Sequence, residues 1–397
     1  MHKRLYRSVR RCSPWVLGLL LIVTAIVSTV SAQQTVQTLK IGIVTATSGS
    51  LAAPGQFQLN GFRMAAEEIN ERGGVTIDGV TYRIELVVYD TKGIPTEGAS
   101  AVLRLATVDR VPVILGELSS GVALAQAPVA RDHKVPIIFT VPTAPSITEQ
   151  GNPWVFRVNA HNNSLNVGLA EFIIAQGWNP VAFIGWNNDA GRLGISHMTE
   201  LLQAAGITVS RQEYFNLGET NFTPQLTNIR RAGAQAIMLF ADEEPGALII
   251  EQAMEMGLQV QWIGTLAFGS DRMLQYLPPS AIAGMIQYNA FPPRAPIERI
   301  RNFNERYLAA FGEEAHGFAA QSYDGLMVAI EAMKKANTVT DTEAIREALA
   351  TIRYEGVIGL IEFDESGQAH PPVYVTQWCA DGTRRILAPE PGECGTG

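Results

Sequence analysis

Leu39-Lys40-Ile41-Gly42-Ile43-Val44, the loop 45–56 and the run 58–71 decide the fold. The first six residues are almost continuously apolar, the pattern of a strand buried on both faces. The loop is rich in Gly, Ser, Ala and Pro. Beyond it Leu59, Phe62, Ala65, Ala66 and Ile69 fall on one face at helical spacing, and Gly73-Gly74 stops the helix. The same order continues outward: a strand over 82–89, a helix around 98–108, a strand over 111–115, a helix from Ser120 and a strand over 135–140. Alternation of this kind predicts βαβ units and a parallel sheet flanked by helices.

The rhythm restarts at Pro180-Val181-Ala182-Phe183-Ile184-Gly185, with a polar loop over 186–192 and a helix ending near Gly206. Strands over 208–215 and 236–240 follow, with a helix near 223–232 between them and a further strand over 285–288. Three helices then come in succession, over 297–311, 317–336 and 341–352. The last opens with the capping box Thr340-Asp341-Thr342-Glu343. The chain closes in an expected hairpin of 359–363 with 373–377. The fold class is α/β: two Rossmann-like lobes with parallel sheets, side by side. No Pro/Ser/Gly linker separates them, so several segments are expected to cross between them.

The first thirty residues read as an address. Lys3, Arg4, Arg7, Arg10 and Arg11 precede an apolar run over 15–30, and Val30-Ser31-Ala32 supplies an A-x-A-like end. This is the pattern of a secretory signal cleaved after Ala32, and the run is shorter than the ~20 residues of a membrane span. Removing 1–32 takes five of the 30 Lys/Arg and none of the 38 acids, so the net charge moves from −8 to −13. A chain so acidic offers no overall basic field to nucleic acid. Three cysteines in 397 residues exclude a disulfide scaffold, and in an exported chain Cys379 and Cys394 are expected to form one bridge.

Local catalytic signals are missing from the sequence. His133, His161, His197, His316 and His370 are solitary, and no H-E-x-x-H, G-x-S-x-G, phosphate-loop or G-x-G-x-x-G pattern occurs. The expectation is a protein that is not an enzyme and uses no cofactor. The informative residues lie where strands end, because ligands of open parallel sheets bind at that edge. Gly116-Glu117-Leu118-Ser119-Ser120-Gly121 opens a helix, and Thr140-Val141-Pro142-Thr143-Ala144-Pro145-Ser146 ends a strand. Hydroxyls, free N–H groups and a helix N-terminus form an anion cradle suited to a carboxylate. Ordinary caps and turns would leave the same trace.

Taken together, Lys40–Val44, the run Gly61-Phe62-Arg63-Met64-Ala65-Ala66-Glu67-Glu68-Ile69-Asn70, Ser119-Ser120-Gly121, Pro136-Ile137-Ile138, Thr143-Ala144-Pro145, Val155-Phe156-Arg157, Phe222-Thr223-Pro224 and Tyr323-Asp324 resemble the leucine-type periplasmic binding proteins, receptors of ATP-driven importers. The resemblance spans about 39–377. It implies the type I periplasmic binding fold, with three hinge strands and the late helices returning to the first lobe. The lobes would then be 39–160 with 289–362, and 161–288 with 363–397. A ligand carboxylate would be held by Ser120, the Val141 backbone and Thr143, with Ser119 beside them. The chain departs from the family at Pro54 and Ala190, where tyrosines are expected, and at Leu266, where a carboxylate would pair with a ligand ammonium. Asp242 and Glu243 are candidates to replace that carboxylate, though acids at a helix start also serve the helix itself. Trp186 could stack on a ligand or simply pack at the rim. The implied function is a monomeric receptor for an amino acid, branched-chain or otherwise apolar, delivering to a membrane permease. An amine-free acid or amide, and a ligand-sensing regulator of the same fold, are the alternatives.

Overall fold

The computed structural model describes residues 36–388 except 217, 270 and 290. The expected signal segment and Cys394 lie outside the described residues. The first sheet has the order β2-β3-β1-β4-β5-β6. Its strands are β1 (Gln37–Thr45), β2 (Val75–Ile77), β3 (Val80–Asp90), β4 (Ile114–Gly116), β5 (Ile137–Phe139) and β6 (Val155–Arg157). All neighbours are parallel except the β2–β3 hairpin. Ile41, Ile43 and Val44 of β1 are fully buried, as helices cover both faces of the sheet.

The second sheet repeats the plan around β7 (Val181–Trp186), β8 (Val209–Phe215), β9 (Ala236–Phe240), β10 (Gln261–Gly264) and β11 (Ile286–Asn289). After β12 (Arg353–Gly356) and β13 (Gly359–Glu362), β14 (Tyr374–Trp378) and β15 (Arg384–Ala388) extend it antiparallel, in the order β15-β14-β11-β10-β9-β7-β8. Separate apolar clusters line the two faces of each sheet. Among the described residues the chain passes between the lobes three times: after β6, after β11, and between β13 and β14.

The late helices find their place on the first lobe. Helix Gly317–Ala336 lies along helix Ala52–Glu71. The two approach so closely that a Cβ on Gly61 would sit 2.1 Å from the Ala319 carbonyl oxygen, so only glycine fits there. Helix Thr342–Ala350 packs against the Gly317 helix in turn.

Several sequence expectations are corrected. The terminal hairpin does not form: β13 pairs with β12, and β14 pairs with β11 in the other sheet. Alternating apolar residues mark a strand but cannot name its partner. The capping box shifts by one residue, because Asp341 Oδ1 rather than Thr340 accepts from the Ala344 N–H at 3.0 Å. The helix expected near 98–108 begins earlier, at Pro95, and passes at Leu105–Asp109 into a single wide turn. The strand expected over 111–115 pairs only at Ile114–Gly116.

Candidate ligand-binding site

The carboxyl ends of β4 and β5 carry the two turns singled out in the sequence. Gly116 has φ 138° and a Cβ there would lie 1.8 Å from the Val44 carbonyl oxygen, so this turn requires glycine. Glu117, fully buried, folds back on the first turn and holds it. Its Oε1 accepts from the N–H groups of Leu118 (2.8 Å) and Ser119 (3.4 Å), and its Oε2 from Gln126 Nε2 (3.1 Å). Burial pushes its carboxyl upward, against those hydrogen bonds. Gln58 braces the turns from behind, donating to the Glu117 carbonyl and to Thr140 Oγ1, each at 2.9 Å.

Ser119 occupies the N-cap of helix Ser120–Asp132 in extended conformation, yet its side chain makes no capping hydrogen bond. Ser120 Oγ accepts from the Ala144 N–H at 3.2 Å. The two turns are therefore physically joined through Ser120. An oxygen that accepts from Ala144 still has its own hydrogen to give, and the helix N-terminus adds positive potential. Val141 is buried and Thr143 half-buried in the second turn. The Val141 carbonyl is taken by Asn159 Nδ2 at 3.0 Å, which leaves its N–H as the group the turn can offer.

In the second lobe Trp186, Asp242, Glu243 and Leu266 lie at or just past the ends of the adjacent strands β7, β9 and β10. Trp186, at the end of β7, packs on Phe215 with ring centroids 4.5 Å apart and is half-buried. Asp242 is exposed at the N-cap of helix Glu243–Glu255 and makes no side-chain cap. Glu243 faces Arg272 at 4.0 Å. Leu266, 37% exposed, opens the turn after β10.

A cavity of about 290 Å³ lies between the lobes on the Leu266 side. Phe57, His316 and Gln321 line it from the first lobe, Leu266 and Arg384 from the second, and Asn289 from the end of β11. Ser119, Ser120, Val141, Thr143, Trp186, Asp242 and Glu243 are not on its wall. Gln321 links cavity and cradle: its Nε2 donates to Asn159 Oδ1 at 2.8 Å, while Asn159 holds the Val141 carbonyl. His316 stacks on Phe57 at 5.2 Å and caps helix Gly317–Ala336, its Nδ1 accepting from the Phe318 N–H at 3.2 Å.

Sequence reading missed Gln58, Glu117, Asn159, His316 and Gln321 as parts of this architecture. Glu117 stood within a quoted turn, but nothing local distinguishes an acid that folds back on its own backbone from a solvated one. The others act across long sequence separations.

Two α/β lobes with parallel sheets, strand ends facing a shared cleft and three crossing segments define the type I solute-receptor architecture. The chain belongs to the periplasmic binding protein family, of the leucine-binding type: the family described as periplasmic binding protein matches residues 38–383. A leucine-, isoleucine-, valine-, threonine- and alanine-binding protein of Pseudomonas aeruginosa is 26% identical over 364 residues, covering 91% of this chain and 95% of the relative. The Thermotoga maritima leucine-binding protein LivK superposes with TM-score 0.73 at 27% identity, over 88% of this chain and 98% of that one. The Streptococcus pneumoniae branched-chain amino acid transporter substrate-binding protein LivJ, in complex with isoleucine, gives TM-score 0.73 at 26% identity over 89% and 100%.

Proposed function

We propose that this chain is an exported receptor that captures a small apolar amino acid or related carboxylate between its lobes and presents it to a membrane permease. It acts as a monomer and catalyses nothing. The lobes are 39–160 with 289–362 and 161–288 with 363–397, after removal of 1–32. The observation that carries the reading is the Ser120–Ala144 junction, which sets a hydroxyl donor, a helix N-terminus and the Thr143 turn on one strand edge. Ser120, the Val141 N–H and Thr143 hold the carboxylate, with Ser119 alongside. Each charge-assisted hydrogen bond contributes about 1.5–3 kcal/mol once water is excluded. The similarity to receptors named for leucine, isoleucine and valine supports an amino acid as ligand.

Leu266 favours a second reading, an amine-free acid or amide, because an apolar side chain stands where the resemblance expects an ammonium partner. Asp242 is the acid best placed to serve instead, since Glu243 already faces Arg272. Thermal denaturation against apolar amino acids and their deaminated analogues tests both. Binding to the folded state raises the melting temperature, by an amount that grows with ligand concentration over Kd. A shift with leucine or isoleucine alone supports the first reading, and a shift with the deaminated acids alone supports the second. No shift with any compound at millimolar concentration contradicts both.

A further inference from the structure

Arg157, the last residue of β6, is fully buried immediately behind the second cradle turn. Its Nη1 donates to the Ala144 carbonyl at 2.6 Å and its Nη2 to Thr148 Oγ1 at 3.2 Å. Its Nε donates to Gln368 Oε1 at 2.5 Å, on the third crossing segment. Its own backbone joins that segment too, through Arg157 N–H to Gly367 (2.9 Å) and Ala369 N–H to Arg157 (2.9 Å). Gln368 Nε2 then donates to the Asn159 carbonyl at 2.7 Å.

Every one of these acceptors is uncharged. Among the described residues no carboxylate lies within 4.0 Å of the guanidinium, and Glu149 and Asp364 act on it only from beyond that distance. Burial lowers its pKa to about 10, which still leaves it charged at pH 7. A full positive charge is thus held out of water with Glu149 and Asp364 as its only named acids and neither in contact, an arrangement that favours a further anion nearby. Ala144 joins the guanidinium directly to the cradle: Arg157 holds its carbonyl and Ser120 accepts from its N–H.

We infer that Arg157 is the positioning residue that makes the cradle select a carboxylate: it fixes the second turn against the hinge and supplies, from behind, the charge that a bound anion neutralises. It does not touch the ligand. The inference rests on the carboxylate-receptor reading above and deepens it by separating two roles. A merely structural arginine would hold the turn for any ligand, charged or neutral. A charge-supplying arginine sets the preference for an acid over its amide.

The test is calorimetric affinity for L-leucine against L-leucinamide, and for benzoate against benzamide, in the full chain and two variants. Arg157→Gln removes the charge. Thr148→Asp keeps the arginine and its packing but places a carboxylate against Nη2, and it serves where the glutamine variant fails to fold. In either folded variant the acid-to-amide affinity ratio should fall by about tenfold, the scale of one charge acting across several ångströms of protein. A ratio that stays at the wild-type value while both affinities drop together overturns the inference and leaves Arg157 a structural brace. Absence of binding by all four compounds in the wild type would instead sink the carboxylate-receptor reading itself.

Discussion

Asp324 is wholly buried on the Gly317 helix, and its carboxylate accepts from the N–H groups of Val357 (2.9 Å) and Ile358 (2.8 Å). It thereby closes the turn between β12 and β13. Burial pushes its carboxyl up to about 7, with the two backbone hydrogen bonds and Arg299 pulling the other way. The folded protein therefore binds this proton more tightly than the unfolded chain, whose value is near 3.8. For a raised carboxyl the sign is fixed: the group's stabilisation is complete below about pH 4 and is lost as pH rises through about 7. Urea denaturation across that window should show a pH-dependent loss of stability that Asp324→Asn flattens. Identical pH slopes in the two proteins would contradict the assignment. Nothing in the Tyr323-Asp324 dipeptide announces this role, which exists only because the chain returns to it 33 residues later.

Elements whose both faces are buried were the most legible. In β1 and β7 the apolar run is nearly unbroken because helices cover each side, so the strands could be read without knowing their neighbours. Some helix ends were legible to within a residue, as for Ser120–Asp132 and Gly317–Ala336, while the helices beginning at Ala52 and Pro95 start several residues earlier than their apolar spacing shows. Asp341 caps the Thr342 helix, while Thr338 Oγ1 accepts from the N–H groups of Thr340 and Asp341, each at 3.2 Å, and so fixes the cap's approach. Asp341→Ala should lower stability by about 1 kcal/mol, with Thr340→Ala close to neutral, as measured by chemical denaturation. The reverse ranking would return the cap to Thr340. Pairing was not legible: β14 joins β11 after two of the three crossings, and no local pattern encodes a partner at least 85 residues away. The site divides along the same line. Ser120, Val141 and Thr143 could be proposed from the sequence because they lie in the turns that follow strand ends, whereas Arg157 meets Gln368 across 211 positions and Asn159 meets Gln321 across 162. Trp186 kept both of its readings, ligand platform or rim packing, open. Its ring packs on Phe215 while staying half-buried.

At the scale of the molecule, two sheets present their strand ends to one cleft, and three segments cross between the lobes. Closure is favoured only by contacts that a ligand makes better in the closed arrangement, so the second lobe must contribute something. Leu266 lies on the cavity wall and Asp242 at an exposed helix start, and they point to different ligands: an apolar body for the first, an ammonium for the second. Both possibilities share the carboxylate at Ser120. The measurement that bears on that shared claim most directly is titration calorimetry of wild type and Ser120→Ala with apolar amino acids and their deaminated analogues. At least one acid should bind the wild type, and the serine variant should bind it more weakly by about 1–3 kcal/mol. Equal affinity in the two proteins, or no heat from any acid at millimolar concentration, would contradict the account.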